Sequence, residues 1–153
     1  MITKLFFLRH GEAAYNKNDD IRVLTPQGRE DVAFVAQQQR SALAGVQQVL
    51  VSPITRAQQT ADIICREANI NAPRSTVDWL IHETPLKDVL LRLAKLNHNT
   101  LLVSHQPLAG KLVESLCGLD VGTTSIGTAN LIEMEGEAFI SGALQLAHHQ
   151  RPE

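Results

Sequence analysis

Cysteine is scarce in this chain, with Cys65 and Cys117 the only two in 153 residues. They form no Cys-x-x-Cys pair, which removes the common zinc and redox motifs. Two distant cysteines read as buried free thiols and fit a reducing compartment. Long apolar runs are missing too. The first run, residues 5–8, stops at Arg9, whereas a secretory leader needs about 7–15 apolar residues. No stretch approaches the ~20 apolar residues of a membrane span. The expectation is a cytoplasmic protein with no leader and no membrane contact. Net charge is also small, at -2, so no global field favours nucleic acid or an anionic membrane surface. A Gly-rich P-loop is absent. His82, His98, His148 and His149 lack the spacing of metal ligands. No metal and no cofactor are therefore expected.

The chain is 44% hydrophobic and 20% charged, the balance of a globular protein with one ordinary core. No repeat, linker or low-complexity stretch divides it, so residues 1–153 are expected to form a single domain. Residues 2–8 read as a buried strand. Residues 11–24 are polar and irregular, with Asn16, Asn18, Asp19 and Asp20 favouring turns. Thr25-Pro26 opens a helix, threonine as cap and proline in its first turn. That helix is expected to run to about Leu43 and to end at Gly45. Residues 48–51 form a second strand, and Ser52-Pro53 opens a second helix. Residues 77–81 read as a third strand ending at His82-Glu83. Pro85 opens a third helix. Residues 100–103 are a fourth strand, followed by a helix from Pro107 to Leu116 that Gly118 ends. Residues 129–134 and 138–146 read as a hairpin turning at Glu135-Gly136. The tail from His148 is expected to fray.

This alternation predicts an α/β fold: a three-layer α-β-α sandwich around a mostly parallel sheet of about six strands, with an antiparallel C-terminal strand. Charge is concentrated where apolar strands stop. Leu5-Phe6-Phe7-Leu8 runs into Arg9-His10-Gly11, Val49-Leu50-Val51 into Ser52-Pro53-Ile54-Thr55-Arg56, and Leu101-Leu102-Val103 into Ser104-His105. Open α/β sheets bind ligands at the carboxyl ends of their strands. Two arginines and two histidines gathered there would make a cationic pocket for a phosphoryl group. Phosphoryl transfer chiefly needs positioning and charge neutralisation. One histidine, neutral, would attack phosphorus; the other, cationic, would bind its oxygens. The residues alone do not say which does which.

Leu8-Arg9-His10-Gly11-Glu12 resembles the R-H-G signature of the histidine phosphatase superfamily, also called the phosphoglycerate mutase-like family. Leu24-Thr25-Pro26-Gln27-Gly28, the Ser52-to-Ala61 segment and Ser104-His105 match further pieces in the family's order. The resemblance implies His10 as nucleophile and Arg9, Arg56 and His105 as the phosphate pocket. It also implies an acidic proton donor. Glu83 is preferred, with Glu12 as the alternative. Arg22 lies in the polar loop within possible reach of the pocket, and a solvated charge is its simpler reading.

Only 22 positions separate Glu83 from His105. Mutases and sugar bisphosphatases of the superfamily carry a long insertion there, so this site should be open and shallow. The short build resembles the SixA-type phosphohistidine phosphatases. That resemblance implies removal of a phosphoryl group from phosphohistidine on a signalling or phosphocarrier protein, through a phospho-His10 intermediate, with phosphate or another oxyanion in the pocket. Asn16 completes an R-H-G-E-x-x-x-N pattern common among metabolite phosphatases, where it would bind phosphate. A small-molecule phosphomonoesterase is therefore the alternative, and a non-catalytic phosphate-binding module a third reading.

Overall fold

In the computed structural model, residues 1–81 and 83–153 are described; His82, read above as closing a strand, lies outside them. Six strands form one sheet: β1 (Thr3–Arg9), β2 (Gln48–Val51), β3 (Arg74–Thr76), β4 (Thr100–Ser104), β5 (Leu131–Gly136) and β6 (Gln145–Gln150). Their order across the sheet is β3-β2-β4-β1-β5-β6. The β3-β2, β2-β4 and β4-β1 pairs are parallel, and β5 lies antiparallel to both β1 and β6. Five strands thus share one direction, and the reversed strand is β5 rather than the last one.

The strands are apolar on successive residues because both sheet faces are covered. Phe6, Leu8, Val49, Val51, Leu101 and Val103 enter a core with α1 (Pro26–Gln38), α2 (Arg40–Leu43) and α3 (Thr55–Glu67). Leu5, Phe7, Leu50 and Leu102 enter the opposite core, with α4 (Leu86–Leu93) and α5 (Leu108–Cys117). This is the expected three-layer, phosphoglycerate mutase-like arrangement. Each fully buried leucine in these layers contributes about 1.5–3 kcal/mol of transfer free energy.

Thr25 caps α1 as expected, its hydroxyl accepting from the Gly28 N–H at 2.9 Å. Gly118 ends α5 in the left-handed region, at φ 66°. Four expectations need correction. The first helix breaks at Gln39, and α2 is a separate turn. Ser52-Pro53 does not open α3; the Ser52 N–H still bonds Val103 in the sheet at 3.0 Å, and α3 begins at Thr55. The third strand is residues 74–76, and Asp78–Leu80 is a 3-10 turn. Parallel pairing there stops with the Val77 N–H on Val51, because β2 ends at Val51 and offers no further partner. The hairpin's second strand is β6, so His148 and His149 are paired with Glu133 and Ile132 instead of frayed. Residues 137–144 instead form the connection, which buries Phe139 and Leu144 in the core. No described helix is long and apolar enough to cross a membrane.

Candidate active site

The parallel strands deliver their ends to one edge. Arg9 lies opposite Ser104 in the β1-β4 register. The His10 N–H continues that pairing to the Ser104 carbonyl at 2.9 Å. On the other side, the Ala129 N–H bonds the carbonyls of Arg9 and His10 at 3.1 and 3.0 Å. The chain then passes between α1 and α3. A Cβ on Gly28 would sit 2.2 Å from the Glu12 carbonyl oxygen, and one on Gly11 would sit 2.8 Å from the Gly28 carbonyl oxygen. Only glycine permits this approach. The Gly11 N–H donates to the Thr60 hydroxyl at 3.1 Å, and that hydroxyl donates to the Arg56 carbonyl at 2.8 Å. The Leu24 N–H bonds the Gln59 side-chain oxygen at 2.8 Å. The Leu-Thr-Pro-x-Gly and Gln-Gln-Thr-Ala segments therefore brace the loop that aims His10.

His10 is buried, and its hydrogen bonds set its tautomer. Nδ1 lies 2.8 Å from the Gly11 carbonyl oxygen, which can only accept, so Nδ1 carries a proton. Arg56 Nε–H donates to Nε2 at 3.2 Å, so Nε2 offers its lone pair. The ring is neutral. Burial pushes its pKa down from 6.5 to about 4, against the Gly11 bond, with the charges of Arg56, Arg9 and His105 lowering it further. Arg56 contacts the His10 ring directly, and the β1-β4 register sets Arg9-His10 beside Ser104-His105 at the same sheet edge. His105 is itself 2% exposed.

The two arginines are anchored differently. Buried Arg56 donates from Nη1 to the Asp19 carbonyl at 2.6 Å and from Nη2 to the Asp19 carboxylate at 3.1 Å. Arg22 holds the other carboxylate oxygen at 3.2 Å and also donates to the carbonyls of Ala13 and Ala14. Arg22 is thus one step from the pocket, supporting Asp19. Arg9 donates from Nη1 to the Ile126 carbonyl at 2.8 Å. Burial, then the charge of Arg56, lowers its pKa from the usual arginine value, yet a guanidinium remains charged at any ordinary pH. The Ile126 loop is pinned by buried Glu114, whose carboxylate accepts from the N–H groups of Gly122 and Thr124 at 3.1 and 2.8 Å.

Sequence reasoning missed Asp19 and Glu114. Asp19 sat among turn formers, and its pairing spans 37 positions. Glu114 carried a signal, a lone carboxylate on the buried face of an apolar helix.

The remaining candidates are exposed. Glu83 is exposed and lines a cavity of about 380 Å³ with Asp20, Ile21, Pro53, Ile54, Thr55 and Ile81. Glu12 is exposed, and its carboxylate accepts from the Thr25 hydroxyl at 2.7 Å, at the cap of α1. Asn16 is exposed, and its side-chain oxygen accepts from the Asn18 N–H at 2.9 Å in a local turn. Among the described residues, no group of three or more His, Cys, Asp or Glu is placed to hold a metal ion.

This fold has relatives. The model of the histidine phosphatase superfamily (branch 1) matches residues 5–80. Phosphohistidine phosphatase SixA of Escherichia coli (strain K12) is 36% identical over 124 residues, 74% of each chain. The structure of the protein histidine phosphatase SixA complexed with tungstate superposes with a TM-score of 0.86 at 26% identity, covering 98% of this chain and 97% of that one. A phosphoglycerate mutase from Plasmodium falciparum shares the fold at 14% identity, with a TM-score of 0.71 over 96% and 89% of the two chains. The chain belongs to the histidine phosphatase superfamily, branch 1. Within that class it is SixA-like, a phosphatase and hence a hydrolase.

Proposed function

We propose that this protein, as a single domain over residues 1–153, is a cytoplasmic, metal-independent phosphatase. It removes the phosphoryl group from phosphohistidine on a signalling or phosphocarrier protein. The observation that carries this reading is the state of His10: Nδ1 protonated against Gly11, Nε2 aprotic, and the ring pKa near 4. Such an imidazole is a ready nucleophile at neutral pH.

Nε2 attacks phosphorus as the Arg56 Nε–H turns its hydrogen bond from Nε2 to a phosphoryl oxygen, the guanidinium keeping its proton. The bond between phosphorus and the substrate's ring nitrogen breaks, and that nitrogen takes a proton. Phospho-His10 results. Water then attacks phosphorus, the bond to Nε2 breaks, inorganic phosphate leaves, and His10 recovers its lone pair. Arg9, Arg56 and His105 bind the phosphoryl oxygens through both steps. The two permanent guanidinium charges supply the neutralisation that a metal provides in other phosphatases. Glu83 is assigned as the proton donor. Its role is undemanding, because the leaving imidazole has a conjugate-acid pKa near about 6.5 and accepts a proton from solvent as readily. An alkoxide leaving group would need far more help. Asn16 is the residue that favours a small ester, and its oxygen is already engaged in the turn at Asn18. Tungstate, the tetrahedral oxyanion held by the SixA structure named above, agrees with an oxyanion pocket here.

The test is a parallel assay of a phosphohistidine protein and simple phosphate esters, with trapping of the phosphoenzyme and with EDTA present. The expected result is rapid dephosphorylation of the protein, a trapped adduct on His10, and no effect of EDTA. Faster hydrolysis of esters, or wild-type turnover by His10→Ala, overturns the reading.

A further inference from the structure

We infer that the cavity beside Arg56 receives a basic side chain, lysine or arginine, that flanks the phosphohistidine on the partner; this rests on the phosphohistidine reading above. The cavity has a volume of about 380 Å³ and lies between the 3-10 turn Asp19–Ile21 and the start of α3. Its chain neighbours tie it to the site. Thr55 precedes Arg56, and Asp20 follows the Asp19 that holds Arg56. Its walls are aliphatic: Ile21, Pro53, Ile54 and Ile81. Ile21 is 51% exposed and shares this cavity with Ile54, which is 6% exposed.

One carboxylate with no part in the proposed chemistry, Asp20, stands among these walls. Asp19 and Asp20 differ in a way that matters. The Asp19 carboxylate is neutralised by Arg22 and Arg56. The Asp20 carboxylate makes no ion pair or hydrogen bond among the described residues, so its negative charge faces whatever enters. Aliphatic walls with a carboxylate among them match one kind of side chain, a methylene stem with a cationic head. The same charge repels a free polyanionic metabolite. A partner that presents a phosphoryl anion and a neighbouring cation satisfies the cationic pocket and the acidic rim together.

The experiment compares three substrates: N-phosphorylimidazole, and phosphohistidine peptides with either lysine or glutamate scanned along the positions on either side of the phosphohistidine. The wild-type protein and Asp20→Lys are assayed on each. The expected result is a preference of about tenfold in kcat/KM for lysine at a particular position, removed or reversed in Asp20→Lys. Turnover of N-phosphorylimidazole stays the same in both proteins, which also reports that the variant is folded. Equal kcat/KM for the lysine and glutamate peptides overturns the inference, as does an equal loss on N-phosphorylimidazole. Hydrolysis of all three substrates without charge preference sinks this inference alone. Failure to hydrolyse any of them sinks the phosphohistidine reading and takes this inference with it.

Discussion

Arg9 and Arg56 are the two guanidinium groups of the proposed pocket, and the regions that hold them work by different physics. The loop after β1 gives Arg56 a carboxylate and a carbonyl, both from Asp19. Among the described residues, the loop before β5 gives Arg9 the carbonyl of Ile126 alone. The first is an ionic anchor, partly exposed, with Asp19 55% accessible. The second is a steric anchor, and its stiffness comes from the loop's own attachment to Glu114. A partly exposed ion pair tolerates the loss of its charge, because water and the backbone carbonyl remain. A neutral anchor depends on the loop staying where it is. The contrast teaches that Arg56 is held by a replaceable contact and Arg9 by a less replaceable scaffold.

Substitutions can break or sharpen that contrast. His10→Ala removes the proposed nucleophile, and turnover should fall by at least about 10³-fold in a single-turnover assay. Next come Arg56→Ala and Arg9→Ala, each expected to lower kcat/KM by about 10²–10³-fold through lost charge stabilisation. Glu114→Gln should act through the Arg9 side alone. Tungstate affinity should weaken by about tenfold and the thermal midpoint should drop, since a buried acceptor pair is weakened. In an Arg9→Lys background the same change should weaken tungstate binding much less, and full additivity would disprove the link. Asp19→Asn keeps the backbone carbonyl on Arg56, so kcat/KM should fall by less than about fivefold. A loss as large as that of Arg56→Ala would show the anchor to be irreplaceable after all.

The smallest effect is in pH. With the free-enzyme pKa of His10 near 4, kcat/KM should halve near pH 4 as Nε2 protonates, and titration of His10 should leave it flat across neutral pH. Stability follows the same group. The folded pKa lies below the unfolded value of 6.5, so from about pH 6.5 down to about 4 the unfolded chain binds a proton that the folded chain refuses. Folding therefore weakens as pH falls through that window. Denaturant midpoints of the wild type and His10→Ala should converge as pH approaches 4.

Contiguous features were legible without coordinates. The unbroken apolar runs around Phe6, Leu50 and Leu102 announced strands covered on both faces. Thr25-Pro26 marked a helix start, and Gly118 a helix end. Arg9-His10 and Ser104-His105 are neighbours along the chain at strand ends, so their arrival at one sheet edge followed from parallel topology. Local chemistry determined these features, because backbone propensity and side-chain period act within a few residues.

Other features needed the folded chain. Residues 77–81 are mostly apolar, like a strand, yet β2 is too short to pair them. Residues 145–150 look too polar for a strand, yet β5 offers them an open edge. The proton on Nδ1 of His10, the attachment of Arg56 to Asp19 and that of the Ile126 loop to Glu114 all depend on groups brought close by folding. Distance, burial and local dielectric decide them, and none of these exists until the chain has closed on itself.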